Sequence, residues 1–372
     1  MDDTPTESLR MTAWTVLVLG GDGIGPEVTE AALEVLGVVA ASANIAVEIE
    51  HDLAGGACFT AHGVVLRDDT LQRARDVDAV LFGAEGGPEW DAVPSDLDPE
   101  QRSGLSHLRR DLDLYANLRP IRNWRGLVDR TPFKPELVAG ADMVVVRELT
   151  SGVYFGTPRG TSTVDGREQA IDTQFYTADE IDRVARDALS LARSRRGKLT
   201  SIDKSNVMET GALWRRRVSV IAEKEYGDVD VEHLLADAFL CALVQQPARF
   251  DVVLGDNLFG DLVSDAAAPI AGSLGMLPSA SLGPPDANGR RRALYEPVHG
   301  SAPDIAGKGL ANPCGAVLSV AMMTEWTFTR PDLARRIEQA VDVALVETGG
   351  TTDLGGSARP AELLNAILAR LA

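Results

Sequence analysis

Phe250-Asp251-Val252-Val253-Leu254 runs into Gly255-Asp256-Asn257 and on to Leu258-Phe259-Gly260-Asp261-Leu262-Val263-Ser264-Asp265. An apolar run, a break rich in turn formers and then a helix start make the strand–turn–helix step of an α/β fold. On a helix, Asp261 and Asp265 share one face, one turn apart. Two bare carboxylates so placed repel each other unless a cation lies between them. Hard oxygen donors suit Mg²⁺ or Mn²⁺ rather than zinc. An isolated D-x-x-x-D is more often a solvated acidic face, so the rest of the chain has to decide.

Outward from this step the same alternation recurs. Trp14-Thr15-Val16-Leu17-Val18-Leu19, Val47-Glu48-Ile49-Glu50, Ala79-Val80-Leu81-Phe82-Gly83 and Asp142-Met143-Val144-Val145-Val146-Arg147 are strand-like. Pro26 suits a first helical position, with Glu27 in the positive first turn and Val28, Ala32, Val35, Leu36 and Val39 at helical spacing behind it. Further helices are expected over 178–195, 209–226 and 331–347. Leu282 to Arg292 reads as a polar insertion. The class is α/β.

With 372 residues, 45% of them hydrophobic, the chain can build two domains around a large core. A net charge of −19 argues against nucleic acid and anionic membranes as partners. No run approaches the roughly 18 apolar residues of a membrane span. Met1-Asp2-Asp3-Thr4-Pro5 lacks the basic start of a secretory signal, and residues 1–13 are expected to form a tail. Cys58, Cys241 and Cys314 are odd in number and far apart. That fits a reducing cytoplasm rather than a disulfide framework or a zinc site.

Gly21-Asp22-Gly23-Ile24-Gly25-Pro26 invites a dinucleotide-binding reading, but G-x-G-x-x-G needs glycine where Pro26 stands. A turn that brings strand and helix close is the better reading, and the loop can still border a cofactor.

Several segments then stand in order: Gly21 to Val28; Leu108-Arg109-Arg110 with Leu114-Tyr115-Ala116-Asn117-Leu118-Arg119-Pro120; Val146-Arg147-Glu148-Leu149-Thr150-Ser151-Gly152-Val153-Tyr154-Phe155-Gly156; Asp203-Lys204-Ser205-Asn206-Val207; Asn257 to Asp265; and Glu296-Pro297-Val298-His299-Gly300-Ser301-Ala302-Pro303-Asp304-Ile305-Ala306-Gly307-Lys308. From about residue 14 to its end the chain thereby resembles the β-decarboxylating dehydrogenases, the family of the isopropylmalate, isocitrate, homoisocitrate and tartrate/malate dehydrogenases. The resemblance implies a two-domain isocitrate/isopropylmalate dehydrogenase-like fold, not a standard Rossmann fold. Residues 14–114 and 272–372 would form the cofactor-binding domain. Residues 115–271 would form the dimerisation and metal/substrate domain, with the active site in the cleft and completed across a homodimer.

The family's chemistry oxidises a 2-hydroxy acid with a carboxylate on C3 and then releases CO₂. The resemblance assigns metal ligation to Asp261, Asp265 and, from a second subunit, Asp237, which also borders the substrate. Arg109, Arg119 and Arg147 match the substrate-carboxylate clamps, a task suited to the planar guanidinium fork. Lys204, again from the second subunit, would take the C2 hydroxyl proton, which needs a pKa lowered by burial or nearby cations. Tyr154 would protonate C3; taken alone it would be a packing aromatic. Asn206 would reach the nicotinamide end of the cofactor or the substrate. The cofactor would lie on Glu296, His299, Gly300, Ser301, Ala302, Pro303, Asp304 and Ile305, with Asn312. A carboxylate at Asp304 suits ribose hydroxyls and repels a 2′-phosphate, which predicts NAD⁺ together with Mg²⁺ or Mn²⁺.

One segment departs from the family pattern. In the isopropylmalate branch two neighbouring leucines meet the isopropyl group. Here Leu105 keeps one wall, Ser106 replaces the other and His107 is unexpected. A leucine-to-serine change forfeits roughly 1–3 kcal/mol of apolar contact. Arg102 and Ser103 resemble the isocitrate branch, without its asparagine, while Val207 keeps the second subunit's side of the pocket apolar. 3-Isopropylmalate is the expected substrate; another 3-substituted malate, homoisocitrate, isocitrate, tartrate and D-malate stay open. A non-catalytic regulatory subunit should have lost clamp or metal residues, and all of them stand here.

Overall fold

The structure, a computed structural model, describes residues 13–90 and 99–372. The tail expected over residues 1–13 lies, Ala13 apart, outside the described residues. Among the described residues twelve strands follow in chain order: β1 (Trp14–Gly21), β2 (Val47–Asp52), β3 (Ala79–Ala84), β4 (Ala116–Arg122), β5 (Asp142–Glu148), β6 (Gly160–Val164), β7 (Arg167–Ile171), β8 (Lys198–Asp203), β9 (Asp230–Leu235), β10 (Val252–Gly255), β11 (Pro278–Pro285) and β12 (Arg291–Pro297). Ten of them form one sheet in the order β2-β1-β3-β12-β11-β4-β5-β10-β8-β9.

Both flanks of this sheet are parallel, and the antiparallel strands β11 and β4 join them at the centre. Parallel strands need helical crossovers that cover both faces, which is why their sequences read as unbroken apolar runs. On β1 the alternation is visible directly: Val16 and Val18 join the larger core, Leu17 and Leu19 the smaller one on the other face. The expected helices form over Gly25–Ser42, Ala178–Ser194, Glu209–Glu225 and Pro331–Thr348. This mixed order is that of the expected two-domain isocitrate/isopropylmalate dehydrogenase-like class, not of a standard Rossmann sheet. Among the described residues no helix is long and apolar enough to cross a membrane.

Two features differ from simple expectation. The segment Leu282–Arg292 is not an insertion beside the sheet but the turn of the β11–β12 hairpin, closed by Asp286 and Arg290. Its prolines fall where the register shifts, the place at which a ladder tolerates a missing N–H. Strands β6 and β7 pair only with each other, and all their residues are exposed. An isolated two-stranded hairpin is marginal in water by itself.

The sheet positions the site through its strand ends. β5, β10, β8 and β9 are mutually parallel and finish together: Gly255 is level with Arg147, and Asp203 with Leu235. Ligands in α/β folds gather at such carboxyl ends.

Candidate active site

Helix Asn257–Ala271 begins directly after β10. Asp256 caps it by accepting from the Phe259 amide at 2.7 Å. Asp261 and Asp265 therefore fall inside the helix on one face, as their spacing implied. Gly260 lets the helix lie on β5: a Cβ there would stand 2.8 Å from Arg147 Cβ.

A buried polar row crosses the sheet beneath this helix. Ser281, Asn117 and Arg147 are level on β11, β4 and β5. Asn117 donates to Ser281 Oγ at 3.0 Å and accepts from Arg119 Nε at 2.8 Å. Arg119 Nη1 then meets Ser264 Oγ at 2.8 Å, Asp265 Oδ1 at 3.2 Å and Asp261 Oδ1 at 3.3 Å. Arg147 gives Nε and Nη2 to Asn257 Oδ1 at 2.9 and 2.8 Å and pairs through Nη1 with Asp261. The other Asp261 oxygen accepts from Tyr154 at 3.1 Å. Arg109, on helix Gly104–Asp111, reaches Glu296 at 2.8 Å.

Arg119 and Arg147 are only 6% and 4% exposed, a burial that unpaired charges do not survive. Burial lowers the pKa of both; the nearest guanidinium adds to the effect in Arg147, whereas Asp261 opposes it in both. Burial raises the pKa of Tyr154, and Asp261 raises it further. Burial likewise raises Asp265.

Two adjoining cavities open on the cluster. One of about 300 Å³ is lined by Arg102, Ser106, Arg147, Tyr154 and Arg159 among others. The second, about 390 Å³, lies between Glu85, Leu105, Glu296, His299 and Gly300. Arg102 and Arg109 border both, and the Nε atoms of these two side chains are buried without a hydrogen-bond partner among the described residues. The glycine loop touches the same region: Ile24 donates to Ser301 O at 2.8 Å, and a Cβ on Gly23 would stand 2.0 Å from that oxygen.

Of the remaining expected residues, Ala302, Pro303, Asp304 and Ile305 follow in an irregular turn where Asp304 is exposed and no helix begins. Asn312 is buried, donating to Asp353 at 3.1 Å and accepting from the Cys314 amide at 3.0 Å. Lys204, Asn206 and Val207 occupy the turn after β8, with Asn206 and Val207 exposed. Lys204 Nζ lies 2.6 Å from Asp237 Oδ1, at the start of helix Ala236–Gln245. This pair does not join the arginine cluster, and among the described residues no three His, Cys, Asp or Glu side chains converge as a metal set.

Asn257 escaped the sequence reading. It is the bracket of Arg147, and it also donates to Ser151 O at 2.8 Å and, through its amide, to Tyr176 at 2.9 Å. Its position as the first residue after a strand-terminating Gly-Asp was the available signal.

Residues 15–367 match the family described as isocitrate/isopropylmalate dehydrogenase. A 3-isopropylmalate dehydrogenase of Cereibacter sphaeroides is 50% identical over 92% of each chain. A 3-isopropylmalate dehydrogenase 1 of Bordetella bronchiseptica is 51% identical over 93% of each. Among solved structures, isocitrate dehydrogenase from Methylococcus capsulatus superposes with a TM-score of 0.84 at 34% identity, covering 96% of this chain and 99% of that one. A β-decarboxylating dehydrogenase from Thermococcus kodakarensis gives 0.76 at 38% identity over 96% of each. Sheet order, strand-end cluster and these likenesses agree, and the chain belongs to the isocitrate/isopropylmalate dehydrogenase family, an enzyme family of β-decarboxylating dehydrogenases.

Proposed function

We propose that the enzyme carries out the NAD⁺- and metal-dependent oxidative decarboxylation of 3-isopropylmalate to 4-methyl-2-oxopentanoate, the leucine-forming reaction, in the cytoplasm. The observation that carries this reading is the cluster at the carboxyl ends of the strands in which Arg119 and Arg147 meet Asp261, Asp261 meets Tyr154, and Arg109 lines the same cavity as Arg147 and Tyr154. The identity to enzymes named 3-isopropylmalate dehydrogenase supports the substrate.

The guanidiniums of Arg109, Arg119 and Arg147 bind and orient the substrate carboxylates bidentately. Tyr154 keeps its proton, its pKa raised by burial and Asp261, and so can deliver it to C3 after CO₂ leaves. Lys204 takes the C2 hydroxyl proton. Asp261 and Asp265 fit a divalent cation because their oxygens already converge on one positively charged nitrogen, Arg119 Nη1. When bound, the cation supplies Lewis-acid polarisation and NAD⁺ supplies the hydride acceptor. Asn206, Glu296, His299 to Ile305 and Asn312 would hold the dinucleotide, with Asp304 on its ribose.

The active unit is a homodimer that shares its sites, formed by two copies of the domain spanning 115–271. The exposed hairpin β6–β7, Val207 at 72% exposure and the separation of the Lys204–Asp237 pair from the cluster support this. Domain closure over the cleft between 115–271 and the two cofactor segments, 14–114 and 272–372, excludes water.

Ser106 and Arg102 in the substrate cavity favour a second reading, a 3-substituted malate with a more polar side chain. Steady-state assays with 3-isopropylmalate, isocitrate, homoisocitrate and D-malate decide, each with NAD⁺ or NADP⁺ and Mg²⁺. The highest kcat/KM is expected for 3-isopropylmalate with NAD⁺. A preference for isocitrate or homoisocitrate would overturn the substrate, and a preference for NADP⁺ the role of Asp304.

A further inference from the structure

Glu85 follows β3 and borders the cavity between Leu105 and His299. Its carboxylate accepts three hydrogen bonds, all from the entry to helix Gly104–Asp111: Ser103 Oγ at 2.8 Å, Gly104 N at 2.6 Å and Leu105 N at 3.1 Å. Ser103 Oγ in turn accepts from Ser106 N at 3.0 Å. Asp22, 2% exposed, does the same for helix Gly55–His62, accepting from Gly56 N at 2.8 Å and Ala57 N at 2.7 Å, and also from Gly86 N at 2.8 Å.

Neither carboxylate has a cationic partner among the described residues. Their charge is met by amide donors at the positive ends of two helices. Gly55 sits between them with φ +69°, and a Cβ there would stand 2.7 Å from Asp22 Oδ2 and 2.9 Å from Glu85 Cγ. The ends of β1 and β3 are thus tied to two helix starts by a pair of acids, Asp22 buried and Glu85 half-buried.

We propose that Glu85 is the positioning residue of the substrate-reading helix: by holding its first turn it sets where Leu105 and Arg109 stand in the cleft. The helix is only 8 residues long, so a displaced first turn moves both side chains together. The proposal rests on the reading of that helix as substrate-facing. It assigns Glu85 no contact with substrate.

The test compares the full-length wild type with Glu85→Ala and Glu85→Gln. The assay uses 3-isopropylmalate, NAD⁺ and Mg²⁺, alongside amide hydrogen exchange of the unliganded protein. In Glu85→Ala the KM for the hydroxy acid should rise by about tenfold or more with kcat within about threefold, the pattern of lost ground-state and transition-state binding alike. Exchange should quicken at residues 104–108 while β3 stays protected. Glu85→Gln, which keeps one acceptor oxygen, should fall between, and it carries the same comparison if the alanine variant does not fold. Unchanged KM and unchanged exchange in a folded variant would overturn the proposal. If the wild type turns over no 3-substituted malate, the functional reading fails on its own, and exchange at 104–108 still decides the role of Glu85.

Discussion

The two groups of expected site residues are built on opposite terms. Arg119 and Arg147 are buried in a network in which Asn117, Ser264, Asn257, Asp261 and Asp265 supply their partners. Half-buried Lys204 and exposed Asp237 pair with each other and, among the described residues, with no other charged side chain. Titration follows the same division. Burial raises Asp265 and Glu148, whereas the hydrogen bond from Lys204 lowers exposed Asp237. A network saturated within one chain is preorganised; a lone exposed pair is weak by itself and gains meaning only from what docks beside it.

The sharpest way to break this comparison is complementation. Lys204→Met and Tyr154→Phe should each lower kcat by about 10²- to 10⁴-fold, the usual worth of a positioned acid or base. Dissociating and reassociating a mixture of the two variants should then restore turnover, since some mixed dimers pair an intact cluster with an intact lysine. Absence of recovery would place both groups in one chain's site.

A smaller effect tests the cleft wall. Ser106→Leu should improve kcat/KM for 3-isopropylmalate through roughly 1–3 kcal/mol of apolar contact, and should not improve isocitrate. An equal gain on both substrates would mean that Ser106 does not face the C3 substituent.

The least effect on turnover, and the clearest on stability, belongs to Glu148 behind the cluster. It is fully buried, accepts from Thr150 N and Ser151 N at 3.1 and 3.0 Å, and burial pushes its pKa up to about 7. The folded state then holds a proton that the unfolded chain releases near pH 4.5. Its contribution is complete below that pH and is lost as pH rises to about 7, by up to about 1.4 kcal/mol per pH unit. Denaturant unfolding at pH 5 and pH 8 should show a smaller pH difference in Glu148→Gln; an identical difference would show that Glu148 ionises normally.

Much of this was legible beforehand, for definite reasons. Buried parallel strands declare themselves as apolar runs, and the Asp261–Asp265 spacing survives as one helix face. Arg119 and Arg147 were findable because an arginine beside Pro120 or at the end of a buried strand is poorly placed to be a solvated surface charge. Asn257 and Glu85 were not. Their roles lie in accepting hydrogen bonds from groups 110 and 19 residues away; the Gly255-Asp256 break marks the place of Asn257 but not its partner, and no local pattern marks Glu85. Leu282–Arg292 misled because prolines and arginines mask a hairpin whose pairing is set by neighbouring strands.

The hairpin β6–β7 bears on how the protein is made. A chain leaving the ribosome carries two open strand edges, with Val164 and Ile171 about half exposed. Such edges are templates for indiscriminate pairing until a proper neighbour covers them. A concentrated solution of chains whose hairpin is left uncovered is therefore expected to associate edge to edge through it.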